Sequence, residues 1–122
     1  MNLGEYSESL FTTICIGKGY TVSKPFYYET RYDLVVDVNN VLQRVQVKST
    51  DHVRPKDNQC QVRVNYNKEE VDWFAIYINK TNDWYVLPID VVEDIKQFSI
   101  KLGYKSKYDI FKNNFGFVRH GF

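Results

Sequence analysis

The sequence lacks the features that would place it among membrane, secreted or cysteine-based metal proteins. No apolar run approaches the roughly 20 residues that a membrane-spanning helix needs, and the first residues do not have the pattern of a signal peptide. The two cysteines, Cys15 and Cys60, form neither a disulfide framework nor a metal-binding spacing. We therefore expect a cytoplasmic protein with reduced thiols and no association with a membrane.

An excess of charge of one sign is also missing. Sixteen Lys and Arg residues stand against fifteen Asp and Glu residues, which leaves a net charge of +1. A general polyanion binder is usually plainly basic, although a local basic patch is enough to attract a phosphate backbone. The 122 residues contain no visible repeat or linker, so we predict one domain over residues 1–122.

Hydrophobic periodicity divides the chain into a first helix and a series of strands. Leu3, Leu10 and Ile14 share one helical stripe, and glycines follow at 17 and 19, which predicts a helix over residues 3–16. Short alternating or apolar segments with turn residues between them predict strands over residues 20–23, 32–38, 41–48, 61–64, 73–78 and 84–87.

The segment after the last of these strands is predicted to be helical. Asp90 and Glu93 have the spacing of a capping box, so a helix is expected from Asp90 to about Leu102, and a second short helix after Ser106. The resulting order, α-β-β-β-(β)-β-β-α, predicts an α/β fold with a central mixed β-sheet flanked by helices.

The segments on either side of Asn39-Asn40 predict a β-hairpin, because asparagine tolerates the positive φ that a two-residue turn requires. Counting outward from the turn places Asp33 directly opposite Gln46, with Cβ atoms about 4.5–5.5 Å apart. Lys48 projects from the same face. An acid, an amide oxygen and a lysine in this arrangement suit Mg²⁺, which takes oxygen ligands. A strand face that simply meets water carries the same residue types, so this alternative stays open.

The first helix can supply a second carboxylate. Glu8 lies at the margin of the apolar stripe, where a side chain is partly buried and can reach a site on the sheet. Glu5 points nearly away from the stripe and is expected to be solvated. Glu8 is therefore the candidate, with Glu5 as the second choice.

Together these residues resemble the motif of the PD-(D/E)XK nuclease superfamily: a helical glutamate, then Asp33, then Gln46-Val47-Lys48, with Gln46 in the position of the second acid. The longer stretches 31–37 and 44–49 are similar to the branch that contains group I intron-encoded homing endonucleases with glutamine at this position. The resemblance covers about residues 3–90, and it implies a restriction-endonuclease-like core.

The resemblance also implies the chemistry of the site. Asp33, the Gln46 side-chain oxygen, the Val47 carbonyl and Glu8 would bind Mg²⁺, for which Mn²⁺ is expected to substitute. The ion would polarise a phosphate and lower the pKa of an attacking water. Lys48 would orient that water or stabilise the charge that develops on the phosphate.

Basic residues that could contact a phosphate backbone occur in two segments, one following the second strand of the hairpin and one near the end of the chain. The predicted DNA-binding residues are His52, Arg54, Lys56, Arg63, Lys68, Lys105 and Lys107. Since one active site cuts one strand, we expect a homodimer or homotetramer. Its contact could be formed by aromatic residues around Trp73, Trp84 and Phe115–Phe122.

Three functions remain open from the sequence. The first is a site-specific endonuclease of the homing or restriction type acting on double-stranded DNA. The second is a Holliday-junction resolvase, which would use the same catalytic core on branched DNA. The third is a non-catalytic DNA-binding protein with a decayed site, which the replacement of an acid by Gln46 keeps possible.

Overall fold

The structure is a computed structural model that describes residues 2–27 and 29–118. Its elements in chain order are α1 (Leu3–Gly17), β1 (Thr21–Ser23), β2 (Leu34–Val38), β3 (Val41–Thr50), β4 (Gln59–Arg63), β5 (Trp73–Ile78), β6 (Asp83–Pro88), α2 (Ile89–Val92), β7 (Gln97–Lys101) and a 3-10 turn (Asp109–Phe111). None of the helices in these described ranges is both long and apolar enough to cross a membrane.

The centre of the fold is a five-stranded sheet in the order β1-β2-β3-β5-β6. The β3–β5 pair is parallel and the other pairs are antiparallel, so the sheet is mixed, as the sequence predicts. Strands β4 and β7 form a separate two-stranded antiparallel sheet. The α/β fold with a central mixed sheet is therefore confirmed.

The β2–β3 hairpin has the predicted turn and register. Asn39 and Asn40 have φ angles of 52° and 69°, in the left-handed region that this turn needs. Val38 pairs with Val41, and Leu34 pairs with Val45. Strand β2 begins at Leu34, two residues later than the sequence predicts.

Helix α1 packs on one face of the central sheet. Asn2 caps it by accepting a hydrogen bond from the Glu5 backbone N–H at 2.8 Å. Phe11 and Cys15 are fully buried, whereas Leu10 and Ile14 are only partly buried. The buried stripe is therefore centred on Phe11 and not on the Leu10–Ile14 line that the sequence predicts.

The central sheet separates two hydrophobic cores. The first lies between the sheet and α1, and its large members are Phe11, Trp73, Tyr77, Trp84, Phe115 and Phe117. The second lies under the β4–β7 sheet, and its large members are Phe74, Ile76, Leu87, Phe98, Ile100, Tyr108 and Phe111. Strands β5 and β6 contribute to both cores, which explains why nearly all of their residues are buried.

The predicted helix from Asp90 to Leu102 is wrong. Helix α2 covers only Ile89–Val92, and Gln97–Lys101 forms strand β7. The Glu93 carboxylate does not complete a capping box, because it accepts a hydrogen bond from the Lys68 backbone N–H at 2.9 Å. Phe98 and Ile100 alternate with exposed residues and pair with β4, so a strand buries them in the second core. The short helix expected after Ser106 is a single 3-10 turn.

The proposed use of aromatic residues as a subunit contact is also wrong for those that the structure describes. Trp73, Trp84, Phe115 and Phe117 are buried inside the chain, with at most 9% of each exposed. Phe11 contacts the rings of Trp84, Phe115 and Phe117. These rings therefore hold α1 on the sheet. Phe122 lies outside the described residues.

Candidate active site

Asp33 lies at the open end of the β2–β3 hairpin, directly before β2. Its backbone N–H donates to the Val45 carbonyl at 2.9 Å, although Val45 is already the register partner of Leu34, so the regular pairing ends there and Asp33 does not pair with Gln46 as the sequence predicts. Its carboxylate oxygen Oδ2 accepts the Val47 backbone N–H at 2.9 Å. The acid is thus fixed to β3 both through its backbone and through its side chain.

Several charges act on the half-buried Asp33 carboxylate. Burial raises its pKa above the ordinary value of 3.8, and the Val47 N–H opposes this effect. The negative charge of Glu8 raises the pKa further, while the positive charges of Lys24 and Lys48 lower it. A partly dehydrated carboxylate with a second acid beside it gains electrostatic stabilisation from a cation.

Glu8 reaches the same place from α1. It lines a cleft of about 300 Å³ together with Asp33, and its side chain is 24% exposed. The Lys24 ammonium lies 2.5 Å from Glu8 Oε1. Glu5 is exposed at the start of the helix, where its backbone is capped by Asn2. The structure therefore brings Glu8 to Asp33 and leaves Glu5 at the surface.

Gln46 and Lys48 stand on β3 beside Asp33. Gln46 is half-buried, and its Nε2 donates a long contact of 3.5 Å to the Val47 carbonyl. Lys48 is exposed and acts electrostatically on Asp33. Lys48 also lines a second cleft, of about 270 Å³, with Gln61 and Arg63 of β4. The lysine thus connects the two acids with the surface between β3 and β4.

The available donors fit a hard divalent cation. Glu8 and Asp33 supply two carboxylates in one cleft, and the Gln46 amide and the Val47 carbonyl supply neutral oxygens next to Asp33. Oxygen donors of this kind suit Mg²⁺ or Mn²⁺. Within residues 2–27 and 29–118 no group of three or more His, Cys, Asp or Glu residues could hold a metal ion. A site here must therefore use the neutral oxygens in addition to the two acids.

Thiol ligation does not fit. Cys15 and Cys60 are both buried away from the cleft, in different cores. Burial raises the pKa of the Cys15 thiol to about 12, so it does not form the thiolate that binds metals.

The residues predicted to contact DNA have different surroundings. Six of them are exposed: His52, Lys56, Arg63, Lys68, Lys105 and Lys107. Arg54 is half-buried and bonds within its own loop, to Asp57 at 2.5 Å and to Gln59 at 3.0 Å. Arg63 shares a cleft with Lys48, which places one predicted contact beside the candidate active site.

Sequence reasoning missed the connection between β1 and β2, residues 24–33. Its Lys24, Phe26, Tyr27 and Thr30 line the cleft that contains Glu8 and Asp33. The topology provides a signal that could have found it. Because β1 and β2 are antiparallel, the segment joining them must pass the end of the sheet at which Asp33 lies.

The chain matches a family model described as PD-(D/E)XK endonuclease over residues 1–110. It belongs to this family. The resemblance seen in the sequence is thereby confirmed, and the protein is an endonuclease by family. Members of the family generally use divalent metal ions, in agreement with the oxygen-rich donor set.

Two solved structures share the fold of this PD-(D/E)XK endonuclease. A bacterial homing endonuclease superposes with a TM-score of 0.75 at 24% identity, covering 89% of this chain and 83% of that chain. Hjc, a Holliday junction resolvase of the archaeon Archaeoglobus fulgidus, superposes with a TM-score of 0.56 at 13% identity, covering 83% and 85%. No curated protein matches the chain. These likenesses confirm the predicted restriction-endonuclease-like fold.

Proposed function

We propose that the protein is a Mg²⁺-dependent DNA endonuclease that hydrolyses phosphodiester bonds in duplex DNA at specific sites, as homing and restriction enzymes do. The observation that carries this proposal is the convergence of Glu8, Asp33 and Lys48 at the open end of the β2–β3 hairpin, in a chain of an endonuclease family.

In this proposal Asp33, Glu8, the Gln46 side-chain oxygen and the Val47 carbonyl hold the ion. When bound, a divalent ion polarises the scissile phosphate and supplies a water of lowered pKa. The Val47 N–H keeps the Asp33 carboxylate in position. Lys48 orients the attacking water or neutralises the charge that develops on the phosphate, the role that cationic groups have in phosphoryl transfer. Mn²⁺ is expected to replace Mg²⁺, since both take oxygen ligands.

Duplex DNA fits the surface beside the acids. Arg63 lies on the cleft that Lys48 shares with β4 and can contact the backbone of the strand being cut. The loop after β3 is held closed by Arg54, whose backbone N–H and carbonyl bond to Gln59 and Asn58. It carries His52 and Lys56 on its surface. A shaped loop with an exposed histidine and an exposed lysine beside the proposed cutting centre suits insertion into a groove.

Two copies of the single domain are needed to cut both strands, because each chain supplies one site. We therefore propose a homodimer, or a homotetramer built from two dimers, acting on DNA in the cytoplasm. Lys68, Lys105 and Lys107 lie on other parts of the surface and would contact flanking phosphates.

The test is cleavage with Mg²⁺ of two substrates, a plasmid library and a synthetic four-way junction. The proposal expects double-strand breaks at defined sites, inhibition by a chelator, and a loss of turnover of about 100-fold or more in Asp33→Ala and in Lys48→Ala. Paired nicks at the branch of the junction would contradict the proposal and identify a resolvase. Binding of either DNA without cutting would also contradict it and identify a non-catalytic DNA-binding protein.

Two substitutions on α1 give a matched control. Glu8→Gln should lower turnover and weaken the apparent affinity for Mg²⁺, because it removes one of the two carboxylates. Glu5→Gln removes the same charge from the same helix at an exposed position and should change neither quantity. Equal effects of the two substitutions would contradict the placement of Glu8 in the site.

A further inference from the structure

We propose that Phe26 and Tyr27 form a nucleobase-binding wedge beside the cutting centre, which stacks on bases that are unpaired or become unpaired next to the scissile phosphate. This inference rests on the proposed action on DNA and deepens it, because it names the feature of the DNA that the site engages.

The first observation is the exposure of the two rings. Phe26 is 90% exposed and Tyr27 is 72% exposed, the highest values for large hydrophobic side chains in the described part of the chain. Their ring centroids lie 5.4 Å apart with an interplanar angle of 79°. Single exposed apolar residues are common on proteins, but adjacent ones that form a patch usually mark a binding surface.

The second observation is the position of this patch. Both rings line the cleft that contains Glu8 and Asp33. The segment that carries them is tied down on both sides, since β1 pairs with β2 before it and Asp33 is bonded to β3 after it. Within the segment, the Thr30 hydroxyl donates to the Tyr32 carbonyl at 2.9 Å. The two ends of the segment are therefore fixed to the sheet, and the rings it carries lie along the cleft that contains the acids.

A nucleic-acid strand is the occupant that this position favours. A phosphodiester that reaches Asp33 and Glu8 belongs to a strand with a base on each side, so aromatic rings at the edge of the same cleft meet bases. Every base has a face that can stack on an aromatic ring, and apolar wedges inserted between base steps unstack them. The cleft is lined by the charged side chains of Glu8, Lys24 and Asp33, with Lys48 close enough to act on Asp33, and such charges suit a strand with a charged backbone better than an apolar protein surface.

A wedge has a consequence that a simple phosphate contact lacks. Opening a base step costs a few kcal/mol, and that cost disappears where the bases are already unpaired. The protein should therefore bind a short duplex with a central bubble of mismatched bases about tenfold more tightly than the intact duplex, in line with the contribution of one stacked base.

The experiment compares these two duplexes by fluorescence anisotropy in the presence of a chelator, so that no cutting occurs. Phe26→Ala/Tyr27→Ala should lose the preference for the bubble and the quenching of 2-aminopurine placed in it. Phe26→Tyr/Tyr27→Phe should keep both. Tyr104→Ala serves as the matched control, because Tyr104 is 65% exposed and lies on another part of the surface, beside Lys101.

The outcomes separate this inference from the proposed function. If the parent cuts DNA and the alanine variant keeps the full bubble preference, the wedge is wrong and the nuclease assignment stands. If the parent binds with a preference that depends on the two rings but cuts nothing, the wedge stands and the nuclease assignment is wrong. If the alanine variant loses self-association and keeps its preference, the patch is a contact between copies, which also overturns the wedge.

Discussion

Asp33 makes structural contacts in addition to the catalytic role proposed for it. Asp33 lies one residue before β2 begins. Its backbone N–H donates to the Val45 carbonyl, and its carboxylate accepts a hydrogen bond from the Val47 N–H, both on β3. Replacing it by alanine would remove the acceptor of the Val47 N–H as well as the acid. Asparagine keeps an oxygen for that N–H, so it separates the structural task from the catalytic one.

Asp33→Asn should melt at a higher temperature than the parent at neutral pH without divalent metal, while turnover falls by about 100-fold. Burial and Glu8 raise the pKa of Asp33 above 3.8, so its charged form destabilises the folded state. A group whose pKa is higher in the folded state than in the unfolded state stabilises the fold at pH values below its unfolded-state pKa. This stabilisation is lost as the pH rises through the folded-state pKa. The gain in the variant should therefore shrink as pH falls to 3.8 and below.

Thermal denaturation as a function of pH measures this prediction, with exposed Asp94→Asn as the control for removing an acid elsewhere. Mg²⁺ should stabilise the parent more than Asp33→Asn, because an ion that binds only the folded state raises its stability. A variant that melts below the parent at neutral pH would contradict the role given to burial.

Gln46→Glu should bind Mg²⁺ about tenfold more tightly than the parent, because ligand charge tunes the affinity of oxygen sites. The substitution keeps an oxygen at the same place and adds a negative charge beside Asp33. Isothermal titration with Mg²⁺ measures the effect. Gln97→Glu, at an exposed position on β7, controls for the change in net charge. An equal gain in Mg²⁺ affinity in the two variants would contradict the placement of Gln46 in the metal site.

The register of the hairpin from Leu34–Val45 to Val38–Val41 could be predicted from sequence, because it follows from the two-residue period of a strand and from one turn. The predicted pairing of Asp33 with Gln46 lies beyond this register, and the Asp33 backbone N–H bonds to Val45 instead. Lys24 could not be predicted in the same way. Its contact with Glu8 joins a loop and a helix, and no periodicity relates those two segments. Local patterns thus place residues on one element, while contacts between elements require the fold.

At the scale of elements, the turn of the β2–β3 hairpin sets the register of the site. Asn40→Ala should lower the free energy of unfolding by about 1–2 kcal/mol, since its φ of 69° is unfavourable for a residue with a Cβ and without a short polar side chain. Asn40→Gly should be neutral or slightly stabilising, because glycine adopts this conformation freely. Urea unfolding compares the two variants, and equal midpoints would contradict the argument.

Strand β7 shows where element prediction failed. Its five residues alternate between exposed and buried, but the segment is short, and the capping-box spacing of Asp90 and Glu93 just before it favours a helix. The outcome is decided by partners far away in sequence: β4 pairs with β7, and the Lys68 N–H binds Glu93. These partners cannot be read from the local pattern.

At the scale of the whole molecule, the aromatic residues near position 115 hold the first helix in place. Phe11, Trp84 and Phe115 are in mutual ring contact, and the Phe115 carbonyl accepts the Tyr20 hydroxyl at 2.9 Å. The sequence predicts aromatic clustering there but not its purpose, because a buried ring and a ring at a subunit contact have the same local pattern.

Phe115→Ala should therefore cost about 3–5 kcal/mol of unfolding free energy, the range for removing a buried phenylalanine. The exposed Tyr104→Ala should cost much less. Urea unfolding followed by tryptophan fluorescence measures both, since Trp84 lies against Phe115. Similar losses for the two variants would show that residue 115 does not contribute to the core.

This packing has a consequence for synthesis on the ribosome. The helix that bears Glu8 is made before the sheet on which it packs, and its Phe11 contacts Phe115 and Phe117, which are added more than a hundred residues later. A nascent chain that ends before Phe115 contains β2 and β3. It lacks part of the packing that holds α1, and with it Glu8, against the sheet. We therefore expect the candidate active site to be completed only after Phe117 has been added to the chain.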